Sequence, residues 1–198
     1  MIQSETATTR PVAPQPVRLR LPVDEYYKMY ELGLIDAQDF EKSEIIDGEL
    51  VRKMSIGDKH AWLVEFLTYF FILNLSRSVR VQSQNPLHLG DFDEPEPDIV
   101  LSDLTKYDGR RHPRPSETLL VIEIAETSLR IDRNTKLPLY AANEIPEFWI
   151  VNIPDQIVEV YTNPEFGMYR NTEIFKTGDA ITSNVLSDLS LNVNELFS

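Results

Sequence analysis

Asp98, Glu123 and Lys136 are the residues whose types and spacing point to chemistry. Asp98 opens the apolar run Asp98-Ile99-Val100-Leu101, preceded by Glu96-Pro97. Glu123 nearly closes a second run, Leu119-Leu120-Val121-Ile122-Glu123-Ile124. A carboxylate in an apolar strand is costly unless it is paired, hydrogen-bonded or bound to a metal. If the two runs pair as antiparallel neighbours, position 98 faces 123 and 101 faces 120, so both acids share one face of the sheet. Facing carboxylates repel and raise each other's pKa, and a divalent cation relieves that repulsion. The matching chemistry is a hard cation, Mg²⁺ or Mn²⁺, held by one or two carboxylates plus waters and a substrate phosphate. Such an ion polarises a phosphoryl oxygen and activates water. Lys136 follows Glu123 by thirteen residues and Asp132 by four. It supplies a cation for the phosphate or the attacking water.

Plainer readings stand beside these. Strand-end acids are often merely solvated, although Glu123 interrupts the most continuous apolar run in the chain. Asp132 and Lys136 share a helix face and form at least a surface ion pair, worth little. Asp132 is expected as an N-cap rather than a ligand. Glu44, at the start of a hairpin strand, is either a third acid at the metal or a solvated end residue. His60, early in a long helix, is more often structural than a ligand. Tyr140 lies one turn beyond Lys136 and either lines the site or packs in the core. Arg110, Arg111 and Arg114, with His112, form a basic loop, read as solvated or as a phosphate-contacting loop beside the carboxylates. There is no phosphate-cradling glycine loop, serine nucleophile elbow or zinc-type histidine pair.

The elements that must position these groups follow from patterning. Val23 to Glu31 reads as a helix with Asp24 and Glu25 in its first turn. Glu44 to Val51 reads as a hairpin turning at Asp47-Gly48. Asp58 to Arg77 carries apolar residues at spacings of three and four, a long amphipathic helix with Asp58 as N-cap. Val79 to Leu89 suggests a strand pair broken at Asn85-Pro86, and Thr105 to Glu117 an exposed loop. A helix is expected over 132–142, then strands at Phe148–Asn152, Ile157–Tyr161 and Tyr169–Phe175. The leucines between Val185 and Phe197 are expected to pack back on the body. Such an order gives an α/β (α+β) architecture, a central mixed sheet flanked by helices.

The chain has 198 residues, no cysteine, and a net charge of −13 from 19 basic and 32 acidic residues. Without cysteine, any metal must use oxygen or imidazole ligands. The acidic balance argues against tight non-specific nucleic-acid binding, which depends on lysine and arginine, but leaves room for a local basic patch. Residues 1–16 are expected to form a disordered arm and 17–198 one domain. No run approaches a membrane span, and the N-terminus lacks the apolar core of a signal peptide, so a cytoplasmic protein is expected.

Taken together, several stretches resemble a known family. They are Glu44-Ile45-Ile46-Asp47-Gly48-Glu49-Leu50, His60, Glu96-Pro97-Asp98-Ile99 and Val121-Ile122-Glu123-Ile124. Asp132-Arg133-Asn134-Thr135-Lys136, Leu139-Tyr140-Ala141, Ile145 to Val151, Gly178-Asp179 and Leu189-Ser190-Leu191 continue the pattern. From roughly Leu21 to the C-terminus the chain resembles the Uma-type family, classed with bacterial endonucleases in the PD-(D/E)XK, or restriction endonuclease-like, superfamily. The resemblance implies a restriction endonuclease-like core and metal-dependent cleavage of phosphodiesters in DNA. Asp98 matches the superfamily aspartate and Glu123 the acid that follows it. The lysine usual two residues later is replaced by Ala125, and the resemblance assigns its role to Lys136. Glu126-Thr127-Ser128 departs from the serine-proline pair common after the acidic strand. The expected function is a Mg²⁺-dependent endonuclease, with a homodimer supplying two sites for two strands. A catalytically silent binding or regulatory module on the same fold is the alternative. A hydrolase of smaller phosphodiesters is a third reading.

Overall fold

The computed structural model describes residues 19–53 and 56–197, so the arm expected over 1–16 lies outside the described residues. Helix α1 (Val23–Glu31) occupies the span expected, with Asp24 and Glu25 in its first turn. A short helix without a periodic signature, α2 (Ala37–Glu41), follows and is capped by the Asp36 carboxylate accepting from the Asp39 N–H at 2.8 Å. Strands β1 (Ser43–Ile46) and β2 (Glu49–Arg52) form the expected hairpin. Its two turn residues take positive φ, 54° at Asp47 and 70° at Gly48, which suits a tight hairpin turn. Gly48 is required twice over, because a Cβ there would meet Arg20 Cα at 2.9 Å.

Helix α3 (Asp58–Asn74) stops short of Arg77, because Leu75 is already extended at φ −104°, ψ 155°. Its N-cap is Gly57, so Asp58 sits in the first turn instead of capping. The helix is also apolar on both sides. Leu63, Val64, Leu67 and Phe71 are buried, yet Trp62, Tyr69, Ile72 and Leu73 are exposed. Strand β3 (Val79–Ser83) lacks the expected hairpin partner. Gln84 has φ 50°, and Pro86 has no N–H for a ladder, so the 84–89 segment leaves the sheet as a connector. The partner of β3 is instead β4 (Ile99–Asp103).

β4 and β5 (Thr118–Ala125) pair antiparallel with Ile99 opposite Ile122 and Leu101 opposite Leu120. This is the expected register, and it carries position 98 towards position 123. The loop between them is less open than expected. Tyr107 and Glu117 are buried, and Pro115–Glu117 forms a 3₁₀ turn. After β5 the chain coils through α4 (Leu129–Ile131), a π-helical turn (Asp132–Lys136) and α5 (Leu137–Ala142). Asp132 therefore lies inside the helix and is not its N-cap. Pro138 removes an amide donor and crowds the carbonyl one turn earlier, which accounts for the widened turn before it. Strands β6 (Glu147–Asn152), β7 (Ile157–Glu165) and β8 (Met168–Lys176) follow. The tail adds β9 (Ala180–Thr182), β10 (Ser190–Asn192) and α6 (Asn194–Phe197).

Six strands form one mixed sheet in the order β3-β4-β5-β6-β7-β8, in which only β5 and β6 run parallel. The helix after β5 makes the crossover that a parallel pair needs. Alternating residues separate two cores. Ile99, Leu101, Leu120, Ile122, Ile124 and Trp149 pack towards α3 and the tail. Val100, Val121, Phe148 and Ile150 pack towards Tyr140. The tail does fold back, burying Leu189, Leu191, Val193 and Leu196. It is pinned by the fully buried Glu147, whose carboxylate accepts from Trp149 Nε1, Ser183 Oγ and the N–H groups of Asn184 and Val185. No helix among the described residues is long and apolar enough to cross a membrane.

Candidate active site

The β4–β5 pairing puts Asp98 just ahead of β4 and Glu123 within β5. Glu123 alternates with Val121 and Ala125, so it projects to the core face that also receives Tyr140. The π-turn directs Lys136 and Asp132 inwards, and both are buried. The Lys136 Nζ donates to Glu123 Oε1 at 3.0 Å and lies 3.4 Å from Glu44 Oε2. The Tyr140 hydroxyl donates to the same Glu123 oxygen at 2.7 Å. Glu44 is fixed from the other side, its Oε2 accepting the Glu96 N–H at 2.9 Å. Asp98 Oδ2 accepts the Ile124 N–H at 2.8 Å and lies 3.0 Å from His60 Nε2. Six of the candidate residues thus fall into two bonded groups, Asp98 with His60, and Glu123 with Lys136, Glu44 and the fully buried Tyr140. The groups adjoin where Asp98 accepts the N–H of Ile124 next to Glu123.

Electrostatics follow from four acids around one ammonium. Burial pushes the Glu123 carboxyl well above the usual carboxylate range. Lys136 opposes that rise, and Asp132, Asp98 and Glu44 add to it. Burial alone would lower the Lys136 ammonium, but Glu123, Glu44 and Asp132 hold it above its ordinary value, so it stays charged. Burial likewise raises Asp132, against the hydroxyl of Ser128 that donates to it at 2.6 Å. For His60, burial acts downwards and is outweighed by the Asp98 hydrogen bond and charge, which leaves it raised. The cluster carries more negative charge than Lys136 balances.

These groups line a cleft of about 600 Å³ between the hairpin, the start of α3 and the C-terminal end of β5. Among the described residues, the second oxygens of Asp98 and Glu123 receive no protein hydrogen bond. No group of three or more histidine and acidic side chains arranged to hold a metal is found among the described residues. Lys42, Arg52, Lys53, Glu96 and Glu126 also line the cleft and were not anticipated from sequence. Strand alternation from Glu44 would have found two of them, because residues 42 and 53 continue the same hairpin face.

The basic loop is placed elsewhere. Arg111 and Arg114 line a second cleft with His88, His112 and Glu94, and Arg110 is exposed. Arg111 is committed to Glu117 through both terminal nitrogens and lies over the Tyr107 ring.

Comparison with known proteins speaks to the fold and the family. No curated protein sequence matches the chain. Among solved structures, a protein from Anabaena variabilis described as a "putative nuclease belonging to DUF820" is similar at TM-score 0.66 and 19% identity, covering 84% of this chain and 94% of that one. That likeness shows a common fold. The sequence model of the Uma2 family, described as "Putative restriction endonuclease", matches residues 23–194, and the chain belongs to that family.

Proposed function

We propose that the protein is a Mg²⁺- or Mn²⁺-dependent endonuclease that hydrolyses phosphodiester bonds in DNA. One observation carries the reading: two carboxylates, one just ahead of β4 and one within β5, line one cleft beside a buried, charged lysine. The donor set suits such an ion. It is hard oxygen, it carries excess negative charge, and Mg²⁺ needs only one or two carboxylates when waters and a phosphate complete its shell. Asp98 and Glu123 would hold the ion through their second oxygens, with Glu44 close enough to assist. When bound, the ion polarises the phosphoryl oxygen and acidifies water.

The rest of the work falls to the protein. The Ile124 N–H and His60 fix the Asp98 rotamer, and Tyr140 and Lys136 fix that of Glu123. The Lys136 ammonium, desolvated and therefore strong in its field, orients the attacking water and stabilises charge developing on the phosphoryl oxygens. A homodimer would bring two sites to the two strands.

Binding without catalysis is the competing reading. The −13 charge favours it, as does a Glu123 oxygen already occupied by two donors. Cleavage of supercoiled, linear and single-stranded DNA, alongside bis(p-nitrophenyl) phosphate, separates the readings. Metal-dependent cutting of DNA is expected. Turnover of the small diester alone would move the substrate to smaller phosphodiesters. Inertness towards all four would leave the binding module.

A further inference from the structure

The cleft contains an unequal set of charges. Seven acids line it, Glu41, Glu44, Glu96, Asp98, Glu123, Glu126 and Asp132, against the cations Lys42, Arg52, Lys53 and Lys136. Lys136 is taken by Glu123 and Glu44, and Lys53 by Glu96 at 2.8 Å. Lys42 and Arg52 are exposed and have no carboxylate partner among the described residues.

Their position is set by the hairpin register. Ser43 stands opposite Arg52 and Glu44 opposite Val51. One step further, the Lys53 N–H donates to the Lys42 carbonyl at 2.8 Å. Side chains alternate along a strand, so residues 42, 44, 51 and 53 share a face, and Glu44 on that face reaches Lys136. Lys42 and Lys53 thus lie on the cleft face with Glu44, and Arg52, although alternation puts it on the other face with Ser43, also lines the cleft at the open end of the hairpin. In a chain of net charge −13, a polyanion approaches only where cations are concentrated and unpaired. The loop arginines meet that condition less well, since Arg111 is held by Glu117 and lines another cleft.

Resting on the nuclease reading, we infer that Lys42, Arg52 and Lys53 form the wall that seats the DNA backbone flanking the scissile phosphate. Lys42 and Arg52 contact phosphates directly. Lys53 is pre-positioned by Glu96 and exchanges that carboxylate for a phosphate oxygen when DNA enters.

The test is fluorescence anisotropy of a labelled duplex with full-length protein in chelator, across a salt series. Each lost phosphate contact reduces the slope of log Kd against log salt by about 0.9. The double variant Lys42→Ala/Arg52→Ala is expected to lose about 2 from the slope and to bind more weakly at low salt. Both residues are exposed, so its melting curve should match wild type. A wall variant with the wild-type slope overturns the inference. So does a slope that falls only in Arg110→Ala/Arg114→Ala. A wild type that binds no duplex at any salt leaves no slope to compare, and that result removes the DNA-directed reading itself.

Discussion

At the scale of single residues, the site is a buried lysine shared by two glutamates, and its energetics are testable apart from activity. Removing one partner of a buried ion pair leaves the other charge uncompensated, at a cost of about 3 kcal/mol. Lys136→Met should lower the unfolding free energy by about that amount in urea titration, and adding Glu123→Gln should recover part of the loss. A double variant as unstable as the sum of the two singles would deny the coupling. A second residue-scale prediction concerns Glu117. The Arg111 guanidinium beside it holds its carboxyl below the usual range. Its folded pKa is depressed, so its stabilisation is present above the unfolded value and is lost as pH falls through the folded one. Glu117→Gln should therefore melt below wild type at pH 7, and the difference should shrink as pH falls below the ordinary glutamate value of about 4.3. A gap that widens in acid would contradict the pairing. Asp98 and Glu123 were legible because one opens an apolar run and the other interrupts one, and their register followed from that pattern. The bond from the Glu96 N–H to Glu44, the burial of Asp132 and the placement of the loop arginines were not. They depend on which distant segments meet, and local patterning does not encode that.

At the scale of elements, the hairpin carries Glu44 and the basic edge, so its turn should matter to the cleft. Gly48 combines a positive φ with close approach of the Arg20 backbone. Gly48→Ala should cost about 1–3 kcal/mol and reduce activity as well as melting temperature. A variant with normal stability and activity would show that the turn is not needed to place Glu44. Asp47-Gly48 announces this turn plainly, and α1 shows equally plain spacing. Other elements were less visible. Five-residue α2 and three-residue β9 and β10 are too short for a period to emerge. The π-turn exists because Pro138 disturbs a helix that otherwise continues through it. Asp132 reads as an N-cap when the helix is assumed to start there, but Leu129 starts it and turns the carboxylate inwards.

At the scale of the whole molecule, α3 leaves Trp62, Tyr69, Ile72 and Leu73 exposed on a chain that is otherwise strongly charged. These side chains present roughly 400–500 Å² of apolar surface, towards the upper end of the largest patch on an ordinary monomer. Two copies apposed through them would bury on the order of 1,000 Å², the lower end of specific interfaces. The proposed homodimer is therefore assigned to this face. Sedimentation should report a dimer for wild type and a monomer for Ile72→Asp/Leu73→Lys, and an unchanged dimer would place the interface elsewhere. The central claim is the metal-dependent site itself. Its most direct measurement is the rate of supercoiled plasmid cleavage with Mg²⁺ or Mn²⁺ for wild type, Asp98→Ala and Lys136→Met, each confirmed folded by circular dichroism. The account predicts cutting that chelator abolishes, a fall of at least about 100-fold in both variants, and no cutting without metal. Equal cutting by all three proteins, or none by wild type under any metal, would contradict it.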